Sequence, residues 1–228
     1  MQISIIIPAY NEEDRISDSI ISIKEFLTKS SFDSEIIVVD DGSTDNTVSN
    51  CKALGVAVLE QKQNKGKGAA VRRGMLESSG DIKIFTDADL STPIKEINTI
   101  LPYFKKGYDV VIGSRALQNE LIREHQPWYR EAMGKIFNKI VQFLVIKGIR
   151  DTQCGFKAFT SEAALNIFSE SKIDGFAFDV EALYLASKNN YSVKEVPVEW
   201  YNDERSKVDP IKDSIKMFFE IIKIKGLH

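Results

Sequence analysis

Two carboxylates stand two residues apart in the stretch Thr86-Asp87-Ala88-Asp89-Leu90-Ser91. The run before them, Asp81-Ile82-Lys83-Ile84-Phe85, is short and apolar and reads as a buried strand. Asp87 and Asp89 therefore arrive where that strand should end. In an open α/β sheet, ligands gather outside the carboxyl ends of the strands. Two carboxylates at such a place repel each other and lose hydration, and a cation relieves both. Mg²⁺ or Mn²⁺ suits them, being hard, oxygen-seeking and commonly shared between carboxylates and substrate phosphates. The same residues also read as a solvated strand-to-helix turn, with Ser91 or Thr92 as N-cap and Pro93 at the first helical position. An Asp-x-Asp alone does not separate the two readings, so its neighbours decide.

Those neighbours repeat the pattern. Ile3-Ser4-Ile5-Ile6-Ile7 is a β-branched run stopped by Pro8 and followed by Ala9-Tyr10-Asn11-Glu12. Glu35-Ile36-Ile37-Val38-Val39 ends in Asp40-Asp41-Gly42-Ser43. Three strand ends thus bring acceptors and an aromatic ring to one rim, enough to hold a base and ribose and, through a metal, a diphosphate. Gly66-Lys67-Gly68 adds a helix N-terminus and a cation, both suited to phosphate. It matches neither a GxxxxGK[ST] loop nor a GxGxxG fingerprint. Arg115 and Arg130 offer further charge beside a departing diphosphate. Taken singly, Lys67 and Arg115 read equally well as surface charges.

The elements that must carry these residues alternate. Asn11 is expected to cap a first helix with Ile16, Ile20, Ile23 and Leu27 on one face. A second helix runs to Leu54, a third strand covers 56–59, and a third helix passes Arg72 and Met75. A fourth helix spans about 93–105 and a fifth strand 109–112. Strand and helix alternate five times, which predicts an α/β fold with a mostly parallel sheet, right-handed crossovers and helices on both faces. Beyond Arg115 the pattern changes. Residues 116–127 read as a mobile loop, and 127–147 as a helix with Met133, Ile136, Phe137, Ile140 and Leu144 along one face, a stripe that reads as core ahead of membrane contact. A turn and strand follow at 151–159, helices near 161–169 and 179–188, and a strand at 192–198. Residues 202–210 read as polar and mobile. The last helix, 211–225, shows Ile211, Ile215, Phe218, Phe219 and Ile222 on one face, flanked by Lys212, Lys216, Lys223 and Lys225. That composition fits an anionic membrane surface as well as it fits docking onto the domain. His125 and His228 read as surface residues. No linker divides the chain, so 1–228 is expected to be one domain, with 1–115 the nucleotide-binding half and 116–228 the acceptor half.

Bulk properties narrow the partners. The chain has 228 residues, 28% of them charged, and a formal net charge of −3. No global basic field is present, which argues against nucleic acid. Cys51 and Cys154 lack metal-ligand spacing and read as reduced thiols of a cytosolic protein. No secretory signal is evident, and no apolar stretch approaches the roughly 18–20 residues that span a bilayer.

The ordered motifs resemble those of an inverting glycosyltransferase of family 2 with a GT-A fold. These are Pro8-Ala9-Tyr10-Asn11-Glu12, Asp40-Asp41-Gly42-Ser43-Thr44-Asp45, Asp87-Ala88-Asp89-Leu90-Ser91 and Gly113-Ser114-Arg115. Arg150-Asp151-Thr152-Gln153-Cys154-Gly155-Phe156-Lys157 and Phe176-Ala177-Phe178-Asp179-Val180-Glu181 resemble the dolichyl-phosphate β-glucosyltransferase group, with dolichyl-phosphate mannose synthases as near relatives. The resemblance implies a nucleotide-sugar donor, a polyprenyl or dolichyl phosphate acceptor, and Mg²⁺ or Mn²⁺. It implies that Pro8, Tyr10, Glu12 and Asp41 hold base and ribose, and that Asp87, Ala88 and Asp89 lie at the diphosphate and metal, with Asp89 the direct ligand. Lys67, Arg115, Arg130 and Lys207 would contact phosphates; Gln153, Asp179 and Glu181 would face sugar or acceptor. Ser91 stands where mannose synthases often have a Gln ligand, which favours glucose from UDP-glucose over mannose from GDP-mannose. A membrane contact that is peripheral, on the cytoplasmic face, or supplied by a separate membrane protein is expected. Competing readings are a family 2 enzyme acting on a glycan hydroxyl with Asp179 or Glu181 as base, a non-catalytic nucleotide-sugar binder, and a nucleotidyltransferase.

Overall fold

The computed structural model describes residues 1–125, 127–203, 205 and 212–228, without the side chains at 128–130, 135, 212 and 213. Strands β1 (Gln2–Ala9), β2 (Asp33–Asp40), β3 (Ala57–Glu60), β4 (Ile82–Thr86), β5 (Val110–Ser114), β6 (Phe156–Thr160) and β7 (Val193–Pro197) form one seven-stranded sheet. Helices α1 (Ile16–Thr28), α2 (Thr47–Ala53), α3 (Lys67–Glu77), α4 (Ile97–Phe104), α5 (Trp128–Leu144), α6 (Ser161–Glu170), α7 (Phe178–Lys188) and α8 (Lys212–Leu227) cover it.

The β-branched runs are continuous because the central strands are buried on both faces. In β1, Ile6 joins one core with Val71 and Met75 of α3, Ala164 of α6, Leu183 of α7 and Ile221 of α8. Its neighbours Ile5 and Ile7 join the other core, with Ile16 and Ile20 of α1 and Ile97 and Ile100 of α4. Lys83 is a charged residue within β4. Its buried ammonium donates to the carbonyls of Met75 and Ser78, each at 2.8 Å, and so closes the end of α3. Burial pushes its pKa down.

The strand order is β3-β2-β1-β4-β6-β5-β7. The parallel trio β2-β1-β4 sets the three motif-bearing strand ends side by side at one rim, spaced about 4.8 Å per strand. β6 is antiparallel to both β4 and β5. Its entry therefore lies at the same rim, with Phe156 paired to Thr86. A strand from beyond residue 116 is thus inserted between two from before it.

Several local expectations change. Asn11 does not cap α1; it adopts φ +53°, and its side chain accepts from the Thr44 amide at 2.8 Å. Helix α1 starts later, after Arg15. Pro93 is extended and precedes a short 3-10 turn, Ile94–Glu96, ahead of α4. The middle of the loop expected to be mobile is tied down at residues 121–123: Arg123 N donates to Trp200 O and Trp200 N donates to Leu121 O, at 2.9 and 3.0 Å.

Helix α8 buries Met217, Ile221 and Ile224 and leaves Ile215, Phe219 and Ile222 exposed. The stripe that fits membrane surface and docking equally well is thus largely the outward one. On α5, Val141 is buried while Ile136 is 59% and Phe143 85% exposed, so the 133–144 stripe is not wholly core.

Candidate active site

The rim opens into a cleft of about 280 Å³. Asp87, Asp89 and Ser91 enter it from β4, Lys67 from the start of α3, and Arg115 from the end of β5. Gln153 and Gly155 lie before β6, Asp179 on α7, and Trp200, Asn202 and Asp203 beyond β7. Helices α5 and α8 close the remaining wall through Phe137 and Met217.

Every acid in this cleft has a cationic partner. Lys67 Nζ lies 2.5 Å from Asp87 Oδ1. Burial pulls the Lys67 pKa down, but Asp87 and Asp179 outweigh it and the ammonium is stabilised. Asp89 takes the Ser91 amide on Oδ1 at 2.9 Å, and its Oδ2 is 3.7 Å from Arg15 Nη1. Burial, then the charge of Asp87, pushes the Asp89 pKa up. Asp179 is held by the buried Lys157 at 2.6 Å, and Lys157 also donates to Cys154 O at 2.6 Å. Burial raises the Asp179 pKa, and Lys157 and Lys67 work against that rise.

Arg115 is anchored on Asp151 through Nε at 2.7 Å and Nη2 at 2.9 Å, a bidentate pair. Its own amide donates to the same carboxylate at 3.0 Å. Burial would lift the Asp151 pKa, but the guanidinium dominates and holds it at about 2. Arg115 also faces the Trp200 ring at 5.5 Å. It is a fixed cation, not a loose surface one.

Gly155 shapes the acidic corner. A Cβ there would lie 1.9 Å from Asp87 Oδ2. The bare backbone of Gly155 is the wall against which the Asp87 carboxylate rests.

The nucleotide-side expectations meet a different geometry. Tyr10 is half exposed at the rim. Asp41 is buried outside the cleft, and its carboxylate accepts from Gln61 Nε2 at 2.9 Å and from the amides of Lys65 and Gly66 at 2.8 Å. Burial raises its pKa against those two amide bonds. Glu12 pairs with Arg15 at 2.5 Å, Pro8 lies within β1, and the Ala88 carbonyl accepts from Ser19 Oγ at 2.6 Å.

The start of α3 is not an open phosphate seat. The Ala69 amide donates to Asp174 O, and a Cβ on Gly66 or Gly68 would come within 2.4 or 2.5 Å of the Asp174 or Ile173 carbonyl. Those glycines admit the 173–175 backbone; only Lys67 of that motif faces the cleft.

Glu181 does not reach the cleft. Its carboxylate accepts from the amides of Lys172 and Ile173, each at 2.9 Å, and lies 2.8 Å from His228 Nε2. His228 is accordingly a buried side chain rather than a surface one, whereas His125 is exposed beside Glu131. The Arg130 side chain and Lys207 lie outside the described residues.

Arg15, Asp203 and Lys157 carry charge at this site without having been singled out in the sequence. Arg15 is three residues after Glu12, which by itself reads as an ordinary helix pair. The one available signal for Lys157 was a lysine among apolar residues in Phe156-Lys157-Ala158-Phe159.

A family model described as glycosyl transferase family 2 matches residues 4–168. The chain belongs to glycosyl transferase family 2. It is a glycosyltransferase with the GT-A fold. Among its relatives, a dolichyl-phosphate beta-glucosyltransferase of Dictyostelium discoideum is 39% identical over 241 residues, covering 98% of this chain and 73% of that one. The human dolichyl-phosphate beta-glucosyltransferase is 36% identical, covering 98% and 75%. The fold of this family 2 enzyme is shared by glucosyl-3-phosphoglycerate synthase of Mycobacterium tuberculosis, solved with Mn²⁺, uridine diphosphate and phosphoglyceric acid. That chain has a TM-score of 0.71 at 21% identity, with 98% of this chain and 77% of that chain covered.

The donor set suits a hard divalent ion. Asp87 and Asp89 offer carboxylate oxygens, and burial with the charge of Asp87 raises the Asp89 pKa, a cost a divalent cation would relieve. Among the described residues no third acid or histidine completes an all-protein cage.

Proposed function

We propose that this glycosyltransferase moves glucose from UDP-glucose to a polyprenyl phosphate of the dolichyl type, with inversion, at a membrane surface. The observation that carries the reading is the pairing of the cleft's acids. Asp87, Asp89, Asp179 and Asp203 each lie beside a cationic side chain and are engaged as counter-ions, and Asp179, the carboxylate a hydroxyl acceptor would call on as base, has Lys157 at 2.6 Å. A phosphate acceptor is already ionised and needs no such base. The dolichyl-phosphate beta-glucosyltransferases among its relatives point the same way.

In the transfer, a phosphate oxygen of the acceptor attacks the anomeric carbon from the face opposite the nucleotide. The bond from that carbon to the diphosphate oxygen breaks, and its electron pair leaves with the nucleoside diphosphate. One displacement turns an α-linked donor into a β-linked lipid phosphate. Lys67 and Arg115 face the cleft as the cations that receive the departing charge, Arg115 preorganised by Asp151. Asp87 and Asp89 would hold a divalent cation, Mg²⁺ or Mn²⁺, which would neutralise diphosphate charge. Asp179 and Gln153 also line the cleft, where sugar or acceptor phosphate would sit. Tyr10, Glu12 and Asp41 shape the rim that takes base and ribose, Asp41 by fixing the 61–66 turn.

The test is a screen of UDP-glucose, GDP-mannose and other nucleotide sugars, with Mg²⁺ or Mn²⁺, against a short polyprenyl phosphate and a soluble saccharide. Mass spectrometry should find a β-glucosyl lipid phosphate. A glycosylated saccharide with no lipid product would overturn the proposal.

Among the described residues, no helix is long and apolar enough to cross a membrane. We place the contact on α5 and α8. Both wall the cleft with one face, and on another they expose Ile136, Phe143, Ile215, Phe219 and Ile222 beside Lys139, Lys216 and Lys223. The same reading puts the protein on the cytoplasmic leaflet, where the buried free thiols of Cys51 and Cys154 stay reduced. Replacing Phe143 and Phe219 together by Glu should weaken binding to anionic vesicles by roughly tenfold or more per side chain. Turnover with a short, water-soluble acceptor should change little. Co-sedimentation with phosphatidylserine vesicles reads the first and a kinetic assay the second.

A further inference from the structure

Both aspartates of the acidic corner already have a protein cation beside them, but the two cations differ in freedom. Arg15 is buried and tied at three points: Glu12 takes Nε at 2.5 Å and Nη2 at 2.9 Å, and Asp203 takes Nη1 at 3.2 Å. It approaches Asp89 at 3.7 Å and has nowhere to go. Lys67 has a partly exposed side chain, and among the described residues its only ion pair is with Asp87. Its unbranched stem carries no comparable tether; its ammonium has the Phe178 ring 6.0 Å away. Asp87 cannot retreat from Lys67, because its other oxygen rests on the Gly155 backbone. Any cation arriving between the aspartates must therefore deal with Lys67, and Lys67 is the group that can move.

We propose that Lys67 is an exchangeable counter-ion, seated on Asp87 when the cleft holds no divalent cation and crossing to the donor diphosphate when one binds. The proposal rests on the nucleotide-sugar reading given above and adds a coupling to it. The ammonium competes with a divalent ion for Asp87, so the ion alone binds weakly. A nucleoside diphosphate gives the displaced ammonium a new partner, so each ligand strengthens the other beyond their direct contact, by the same factor in both directions.

The experiment is a titration of Mn²⁺, read by the electron-spin-resonance signal of the free ion, with and without UDP, and with GDP in a parallel arm. Wild type should bind Mn²⁺ poorly alone and more tightly with nucleotide. Lys67→Met should bind Mn²⁺ alone about tenfold tighter, since a unit charge beside the site is gone. It should bind UDP in the presence of Mn²⁺ about tenfold more weakly, having lost a charge-assisted contact. The enhancement of Mn²⁺ affinity by nucleotide should shrink accordingly. An unchanged or weaker Mn²⁺ affinity in Lys67→Met overturns the exchange while leaving the transferase reading standing. A wild-type protein that binds Mn²⁺ neither alone nor with UDP or GDP overturns both. A second measurement does not depend on that variant folding. The Lys67 ammonium resonance of ¹⁵N-lysine-labelled wild type, assigned by its loss in Lys67→Arg, should shift on saturation with Mg²⁺ and again with UDP. A resonance unmoved by saturating Mg²⁺ overturns the exchange.

Discussion

Asp89→Ala should lower turnover by about 10³-fold or more while leaving the melting temperature equal to or above that of the wild type. The first half follows from position. In the proposed function Asp89 is one of the two carboxylates that would hold the diphosphate-neutralising cation, and removing a preorganised electrostatic partner of a leaving group typically costs about 10²–10³-fold or more. The second half follows from the sign of its pKa shift. Burial and Asp87 raise the Asp89 pKa in the folded protein. A carboxyl with a raised folded pKa favours the fold when protonated, and that contribution is lost as pH rises through the raised value. At neutral pH the ionised Asp89 is thus a liability to stability, held for function. Its removal strands no buried cation, because Arg15 keeps Glu12 and Asp203. Steady-state turnover and a thermal melt at pH 7 check the pair of outcomes. Near-normal turnover would sink the site assignment; a collapse in melting temperature would make Asp89 a structural residue instead.

The rim that carries this chemistry could be read from local pattern alone, because each of its parts is local. A β-branched run followed at once by Tyr10, Asp41 or Asp87 needs no long-range information, and parallel pairing of β2, β1 and β4 brings the three ends together. What escaped the sequence depended on relations between distant segments. The antiparallel entry of β6 between β4 and β5 is invisible in Phe156-Lys157-Ala158-Phe159, since a short apolar run has no direction written in it. Because β6 enters there, Gly155 meets Asp87 and Lys157 meets Asp179. Arg15 reads as a helix-surface charge until Asp203, 188 residues later, is found against it. Helix α8 is apolar around so wide an arc that two stripes compete. The sequence left the Ile215, Phe219 and Ile222 face open between membrane and domain, while packing buries Met217, Ile221 and Ile224. The glycines flanking Lys67 were legible as special but not for the right cause, since the backbone they admit comes from residues 173–175. Glu181 was misplaced for a related reason. On α7 it lies two residues from Asp179, and on a helix such neighbours face different directions.

Gly155→Ala should cost activity out of proportion to its single added methyl. The backbone at Gly155 is not among the glycines with positive φ, so an alanine is acceptable to the chain itself. The obstacle is Asp87: the new Cβ would lie 1.9 Å from Oδ2 and 2.4 Å from the carboxyl carbon. Overpacking of this kind costs about 1–3 kcal/mol. The carboxylate is the group that can yield, since Gly155 is held by the neighbouring Phe156–Thr86 strand pairing. A displacement of about 1 Å at a positioned catalytic group lowers rate by about 10²-fold. A double variant separates this account from general misfolding. Asp87→Ala combined with Gly155→Ala should regain most of the stability lost by Gly155→Ala, because the clashing carboxylate is gone, yet remain as inactive as Asp87→Ala alone. Denaturant titrations of the four proteins give the coupling energy, and turnover gives the activity. If the two stability losses simply add, Asp87 does not lean on Gly155, and the corner is held by something else.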